Sequence, residues 1–362
     1  MSAPPSRGRG VPPRFRFPFL FQRRPLRLPP IALPVLALAA LAFLSGCAHH
    51  PVTIYSENDR YFAGTDRHYT NGAKLTVTQP VPRKSALAHR LDTLGRTLRH
   101  FEPYDVRGQE YAHRLSYSLG QNIYTPADIR TTALLTDDRP YAAWLYGAIA
   151  YQREERDLLQ TIELQLGVLG PLALGRQIQN GFHELIGVSP AEGWGHQLHN
   201  EPGFALSYDW RYRWFRRSTS ARDGTGFSID LLRRSGLTLG NVQTSVHGGP
   251  LVRAGWNVPD DFGPDLIRFG GGTATRTAGV SAFFFASADA RLVARDAFLD
   301  GNLFRPGTSH VRKRPLVGDF SLGLALYLGW LHLAYTQNYR TLEFYAQKHR
   351  DVFGSISVSV AR

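Results

Sequence analysis

The feature that most constrains the fold is a period-two alternation of apolar and small or polar residues, repeated along most of the chain. From Leu322 to Leu328 every second residue is leucine, and after Gly329-Trp330 the apolar positions change parity. Such a change across two residues is what a tight hairpin does to two strands that share an apolar face. The pattern therefore predicts antiparallel strands joined by short turns.

Similar alternation marks further predicted strands. It occurs in Leu115–Gly120, Ile162–Val168 and Ser355–Val360. Further candidate strands are Val52–Glu57, Tyr69–Gln79, Ala142–Arg153, Phe204–Arg213, Phe227–Leu232, Leu237–Val246, Ala278–Ala286 and Ala288–Arg295. Two segments, Lys84–Phe101 and Leu174–Gly187, carry apolar residues at helical spacing and are predicted as helices.

The residues between the apolar positions distinguish a soluble β-sandwich from a membrane β-barrel. They are mostly Ser, Gly, Thr, Gln and Asn, whereas the wet face of a soluble sandwich would carry many Lys and Glu. Aromatic residues also gather near strand ends, as Trp144 and Trp210 do. These features favour an all-β transmembrane antiparallel barrel of about 12 strands, with one or two short helices near the rim.

The first 46 residues are expected to be an export signal. They hold seven Arg and no acid, followed by the apolar run Ile31–Leu44, which is shorter than a spanning helix needs. Leu44-Ser45-Gly46-Cys47 has the form of a bacterial lipobox, in which Cys47 is lipidated. The alternative is an ordinary signal peptide cut near Ala48. With either signal, the barrel domain is expected to span residues 48–362.

The charge and the cysteine count exclude several classes. The formal charge of +13 falls to +6 without residues 1–46, and the rest of the chain has no lysine-rich run and no motif that would indicate nucleic acid as a partner. A single Cys excludes a disulfide framework. The zinc-protease pattern that begins at His183-Glu184 is broken by Gly187, and the chain has no Gly-x-Ser-x-Gly elbow and no EF-hand.

The predicted second helix places three polar residues along one edge: Gln179, Asn180 and His183. A neutral imidazole accepts a proton near pH 7, so His183 is a candidate general base. Several unusual stretches occur in order around this helix. They are Ser56–Asp59, Asp66–Gly72, Gly120–Pro126, Asp137–Ala142, Gln179–His183, Trp194–Glu201, Asp300–Asn302 and Ser309-His310.

In that order, these stretches resemble the lipid A deacylase family of outer-membrane enzymes, over nearly all of the mature chain. The resemblance implies a 12-stranded barrel, a Ca²⁺ requirement, and a site between the barrel wall and a short helix near the outer leaflet. It implies lipid A, or lipopolysaccharide, as the substrate and hydrolysis of its 3′-acyloxyacyl ester. The implied site residues are Asn58, Asp59, Thr70, Gln179 and His183.

The resemblance also implies roles for these residues. Asp59 would bind Ca²⁺, which would stabilise the oxyanion, while His183 would activate water. The basic and acidic residues that the family places near Thr131 and at Ser189 are not basic or acidic here, so Arg130 and Glu192 are the expected substrate contacts. Trp194, Asn200 and Arg139 are expected to have structural or loop roles. Two alternatives remain open: an outer-membrane phospholipase A-like esterase, or a barrel that acts as a pore or adhesin.

Overall fold

Twelve antiparallel strands form one closed barrel in the computed structural model, in which each strand pairs with its sequence neighbours and β1 pairs with β12. The described residues are 50–61, 68–82, 84–86, 88–90, 93, 112–219, 226–263, 279–305 and 307–360. The strands are β1 (Val52–Asn58), β2 (His68–Val81), β3 (Ala112–Thr125), β4 (Ala142–Glu154), β5 (Leu158–Leu169), β6 (Glu201–Ser218), β7 (Phe227–Gly240), β8 (Gln243–Trp256), β9 (Val280–Asp296), β10 (Leu316–Leu328), β11 (Leu331–Arg340) and β12 (Asp351–Val360). The predicted fold class is confirmed.

Helices are few in the described part of the chain. They are α1 (Gly175–Ile186), α2 (Ala297–Asp300), two 3₁₀ turns, Pro171–Ala173 and Gly193–His196, and the helical residues 86, 88–90 and 93. The predicted helix at 174–187 is therefore confirmed, whereas the one at 84–101 lies mostly outside the described residues. Among the described residues, no helix is long and apolar enough to cross a membrane.

The outer face of the barrel is apolar and the lumen is polar. Leu322, Leu324 and Phe284 point outward, and their exposed fractions are 56%, 50% and 67%. Their neighbours in sequence point inward, where Lys74 and Glu163 form a buried ion pair at 3.3 Å. An apolar outer band around a lumen of paired charges is the arrangement of a membrane barrel.

Most predicted strands lie within observed ones, and the hairpin at Gly329-Trp330 joins β10 to β11 as expected. Two predictions were wrong. Leu237–Val246 is not one strand, because it contains the tight turn at 241–242 between β7 and β8. The two strands predicted over 278–295 are a single strand, β9.

The two rims of the barrel differ. The rim that we call the site rim carries the β5–β6 connection with α1, the β3–β4 loop (126–141), the β9–β10 loop (297–315) and the β11–β12 loop (341–350). The start of β1 and the end of β12 lie together at the opposite rim, where Val52 pairs with Val360.

Candidate active site

A tight turn folds α1 back onto the barrel. After β5 ends at Leu169, Gly170 adopts a φ of 90°, and a Cβ atom there would lie 2.5 Å from the carbonyl carbon of His199. The turn Pro171–Ala173 follows, and Gln121 of β3 donates from Nε2 to the carbonyl of Ala173 at 2.6 Å. Asn200 accepts from the amide of Leu172 at 2.8 Å, which agrees with the structural role expected for it.

The helix lies on the outer surface of the barrel wall. On β4, Trp144 and Tyr146 line the lumen cavity, so Ala143, which directly precedes Trp144, faces outward. Gly175 sits directly on Ala143, because a Cβ at Gly175 would be 2.6 Å from both the Ala143 Cβ and the Trp194 ring. Ile123, which faces outward on β3, belongs to the same buried apolar cluster.

The amphipathic helix has its polar edge buried and its apolar face exposed. Gln179 and His183 are 3% and 2% exposed, whereas Phe182, Leu185 and Ile186 are 40–49% exposed. In water this orientation would be unfavourable, since burial of such a face is what stabilises a surface helix. Against the acyl region of a membrane the same orientation is favourable.

His183 is held in one tautomer by the chain that follows the helix. Its Nδ1 donates to the backbone carbonyl of Ser189 at 2.8 Å, so the lone pair available for proton transfer is on Nε2. The amide of Val188 donates to the carbonyl of His183 at 2.8 Å, and Gly187 adopts a φ of 74° at the end of the helix. Position 189, where the resemblance expects an acidic side chain, thus orients the imidazole through its backbone.

Gln179, one turn before His183, is fixed by Trp194. The Trp194 Nε1 donates to Gln179 Oε1 at 3.0 Å, and its ring packs against Tyr141 with centroids 4.9 Å apart. The Gln179 Nε2 is buried and has no acceptor among the described residues. A buried amide donor without a partner is costly, and it is suited to an oxygen of a bound substrate.

Strands β1 and β2 bring two further candidates, Asn58 and Thr70, to the outer wall near the same rim. Asn58 pairs with Asn71, which pairs with Ile123 on β3, and Ile123 pairs with Ala143. These four residues form one row across the outer face, which ends beneath α1. The row therefore places Asn58 on β1 about three strand spacings, or roughly 14 Å, from the helix anchor on β4, and Asn71 on β2 about two spacings, or roughly 10 Å, from it.

A bulge in β2 turns Thr70 toward the same outer surface. The pairing of β2 with β3 skips from Tyr69 to Asn71, so Thr70 is the extra residue. Its Oγ1 lies 2.7 Å from Oγ1 of Thr125, an outward-facing residue of β3. Asp59 follows Asn58 directly and is 2% exposed.

These residues supply oxygen donors of the kind that Ca²⁺ prefers. Asp59 offers a buried carboxylate, Asn58 an amide oxygen that also accepts from the Arg60 amide at 2.8 Å, and Thr70 a hydroxyl. In the described ranges, no group of three or more His, Cys, Asp or Glu side chains is arranged to hold a metal ion. A cation beside Asp59 would complete its shell with amide, hydroxyl and backbone oxygens and with water. This donor chemistry fits a hard cation.

Arg130 and Glu192 lie close to each other but in exposed positions. Glu192 donates from its amide to the carbonyl of Ile129 at 2.8 Å, which joins the β3–β4 loop to the segment after α1. Asn180 clamps the same segment by exchanging two hydrogen bonds with the backbone of Ala191. The substrate-contact roles of Arg130 and Glu192 stay predictions, as does lipidation of Cys47, which lies outside the described residues.

Arg139 is on a loop, as expected, but it is also a buried structural centre. Its Nη2 donates to Glu343 Oε2 at 2.7 Å, which ties the β3–β4 loop to the β11–β12 loop. Burial would raise the pKa of Glu343, but Arg340, Arg139 and Arg291 together lower that pKa to about 2. Sequence reasoning missed this pair because its members are 204 positions apart.

The same rim holds a second link, at Asp138. This carboxyl lies 3.5 Å from the imidazole of His68 and accepts from the amide of Ala127 at 2.8 Å. Burial would raise the pKa of Asp138, but the hydrogen bonds from His68 and Ala127 lower it. His68 also contacts Asp351 at 2.5 Å, so the β3–β4 loop meets the starts of β2 and β12 there.

The closed wall with an apolar outer band and the site at one rim define an outer-membrane β-barrel. Residues 32–362 match the model of the family described as outer membrane protein LpxR. The chain belongs to this family, which confirms the resemblance seen in the ordered motifs.

Solved structures show the fold of the chain. LpxR from Salmonella typhimurium aligns with a TM-score of 0.67 and 19% identity, covering 86% of this chain and 100% of that one. The β domain of the Bordetella autotransporter BrkA covers 87% of this chain and 99% of its own, with 8% identity and a TM-score of 0.38. The translocator domain of NalP from Neisseria meningitidis covers 92% and 96%, with 9% identity and a TM-score of 0.38. Comparison with curated protein sequences finds no match.

Proposed function

We propose that this protein is a Ca²⁺-dependent lipid A 3′-O-deacylase that hydrolyses the ester-linked 3′-acyloxyacyl group. Membership of the LpxR family supports a lipid A deacylase. The observation that carries the proposal is the orientation of α1. Its His183 edge is buried against the outer wall, while Phe182, Leu185 and Ile186 face outward. A base placed there meets a lipid of the outer leaflet rather than a molecule in the lumen.

His183 acts as the general base in this proposal. With its Nδ1 proton donated to the Ser189 carbonyl, Nε2 is the nitrogen that takes a proton from the attacking water. The carbonyl also stabilises the imidazolium that results and keeps the ring in place. No covalent acyl-enzyme is required, because water attacks the ester directly.

The remaining residues orient the ester and the ion. Gln179, fixed by Trp194, directs its buried Nε2 amide toward the carbonyl oxygen of the substrate. Asp59, with Asn58 and Thr70, would hold Ca²⁺, which when bound supplies positive charge to the developing oxyanion. Arg130 and Glu192 would contact the polar part of the substrate from the exposed loops.

Mass spectrometry of lipid A from cells with and without the protein tests the reaction. Loss of one acyloxyacyl unit is expected, and it should disappear in His183→Ala, since general base catalysis contributes about 10²–10⁴-fold. His199→Ala is the matched control, because the His199 side chain is exposed and only its backbone bonds to Asn302. Released lysophospholipid would instead support the phospholipase alternative, and unchanged lipids would support a pore or adhesin.

The metal role is tested on the purified barrel. Asp59→Ala should weaken Ca²⁺ binding measured by calorimetry, whereas His183→Ala should leave that binding intact, because imidazole is not a hard ligand. Chelation should stop the unmutated enzyme without changing its heat-modifiable migration on gels. Full activity after chelation would contradict the proposed Ca²⁺ dependence.

A further inference from the structure

A basic surface lies on two loops of the site rim, away from α1. We define it as Arg312, Lys313 and Arg314 of the β9–β10 loop together with Lys348 and Arg350 of the β11–β12 loop. Arg312, Lys348 and Arg350 are exposed, and Lys313 and Arg314 are half-buried. The two loops contain only two acidic residues, Asp300 and Glu343.

Backbone hydrogen bonds hold the two loops side by side. The Arg314 amide donates to the carbonyl of Glu343 at 2.7 Å, and the Tyr345 amide donates to the carbonyl of Arg312 at 3.0 Å. Lys313 and Phe344 form the isolated bridge between them. The basic surface is therefore built on ordered backbone, which Glu343 in turn joins to Arg139.

Two guanidinium groups of this surface share one aromatic ring. The Cζ atoms of Arg312 and Arg314 lie 4.5 Å and 4.7 Å from the centroid of Tyr345, so they are at most about 9 Å apart. Tyr345 is 48% exposed. Both acidic residues of the loops are already used, since Asp300 pairs with Lys313 at 2.8 Å and Glu343 with Arg139. Neither Arg312 nor Arg314 pairs with a carboxylate among the described residues.

Like charges held together without a counter-charge favour an anion. Planar guanidinium groups bind phosphate oxygens through paired hydrogen bonds, and ring stacking fixes their orientation. Helix α1 and the loops around it have the opposite balance, because four exposed acidic residues outnumber the two exposed arginines there; the acidic residues are Asp128, Asp137, Glu184 and Glu192, and the arginines are Arg130 and Arg176. An anionic ligand at this rim is thus attracted to the β9–β12 side.

We infer that the basic surface, centred on Arg312, Arg314 and Tyr345, binds the phosphate groups of lipopolysaccharide in the outer leaflet. This inference rests on the proposed function, which places lipid A at the same rim. β12 follows the β11–β12 loop and pairs with β1, so the surface lies beside the strand that ends at Asn58, the residue before Asp59. The phosphorylated sugar and the ester would be held on adjacent parts of one rim.

Lipid binding by the full-length His183→Ala protein tests the inference without turnover. The protein, in detergent micelles with a chelator, is titrated with fluorescently labelled bisphosphorylated lipid A or with its dephosphorylated analogue, using energy transfer from tryptophan. Each basic residue near an anionic lipid contributes about fivefold in affinity. Arg312→Gln with Arg314→Gln should therefore weaken binding of the phosphorylated lipid about 25-fold and leave the analogue unaffected.

The controls separate charge from folding and from free phosphate. Arg156→Gln with Arg217→Gln removes two exposed charges at the opposite rim and should leave both affinities unchanged. Arg312→Lys with Arg314→Lys keeps the charges but not the planar stacked groups, so its loss should be smaller than that of the Gln pair. In the protein without the loop substitutions, added salt should weaken binding of the phosphorylated lipid only. Equal affinity for both lipids, equal losses for both, or displacement by inorganic phosphate at matched phosphate concentration would overturn the inference. A failed deacylation assay with intact preferential binding would refute the proposed function alone.

Discussion

Removing the charge of Glu343 should destabilise the site rim strongly. Glu343 is 3% exposed and accepts from Arg139 at 2.7 Å, from Arg340 at 3.3 Å and from Arg291 at 3.5 Å. In Glu343→Gln the side chain keeps its shape, but three guanidinium groups lose a shared counter-charge inside the protein. Breaking a buried ion pair from one side costs about 3–5 kcal/mol.

The loss is measurable as a change in the temperature at which the folded band disappears in a heat-modifiability gel. With an unfolding entropy of about 2.1 cal/mol/K per residue, each kcal/mol shifts the transition of a barrel domain of this length by about 1.5 °C, so a decrease of roughly 5–8 °C is expected. Glu192→Gln is the matched control, because Glu192 is exposed and its substitution should change stability by less than about 0.5 kcal/mol.

A double-mutant cycle identifies the partner. Arg139→Met alone removes one guanidinium but leaves Glu343 beside Arg340, so it should cost less than Glu343→Gln. The double variant should lose less than the sum of the two single variants, with a coupling of about 1–3 kcal/mol. The reasoning is wrong if Glu343→Gln melts at the same temperature as the unmutated protein. It is also wrong if the stability losses of the two single variants simply add, because the two loops are then not held together by this ion pair.

Three further predictions concern pH, the helix and the leader. The pKa of Glu343 is lowered from 4.5 to about 2, so the stabilisation that its charge gives the folded protein is complete above pH 4.5 and is lost as the pH falls toward 2. The difference in melting temperature between Glu343→Gln and the unmutated protein should therefore shrink over that range. A constant difference would contradict this role of the Glu343 charge. Trp194→Phe removes the donor to Gln179 Oε1 and should lower kcat about tenfold with little change in KM, since a hydrogen bond contributes about 0.5–1.5 kcal/mol; an unchanged kcat would show that Gln179 needs no such support. Cys47→Ala should abolish labelling of the protein by radioactive palmitate while membrane insertion survives, and an unlabelled parent protein would rule out the lipobox.

Strands and the turns between them were predictable where apolar and polar residues alternate regularly and the apolar positions change parity at a turn. Gly329-Trp330 marks a change of parity, and the turn is there. A change of parity also occurs around 241–242, since Leu237 and Leu239 precede Val246 on the opposite parity, but it rests on only three apolar residues. The rest of β8 contains Gly248, Gly249 and Pro250, which carry no alternation. The register of β8 is fixed by its pairing with β7 and β9, and a local sequence pattern carries no information about that pairing.

Residues that act through tertiary contacts were predictable only in part. The ordered motifs identify Gln179 and His183 because the helix spacing places them on one edge. They do not reveal that the partner of His183 is the backbone of Ser189, since a carbonyl is present at every position. Arg139 and Glu343 are a second case, because only the closed barrel brings these two loops together.

The orientation of α1 shows why a hydrophobic pattern alone does not locate a site. From the sequence, Ile178, Phe182 and Leu185 form a stripe that would normally be buried, and His183 would then point to solvent. In the structure only Ile178 packs on the wall cluster, while Phe182 and Leu185 are exposed at 40% and 49%. The solvent around this helix must therefore be apolar, which places His183 between the wall and the lipid. In the proposed reaction, the residues that are unfavourably exposed in water would bring a lipid ester within reach of His183.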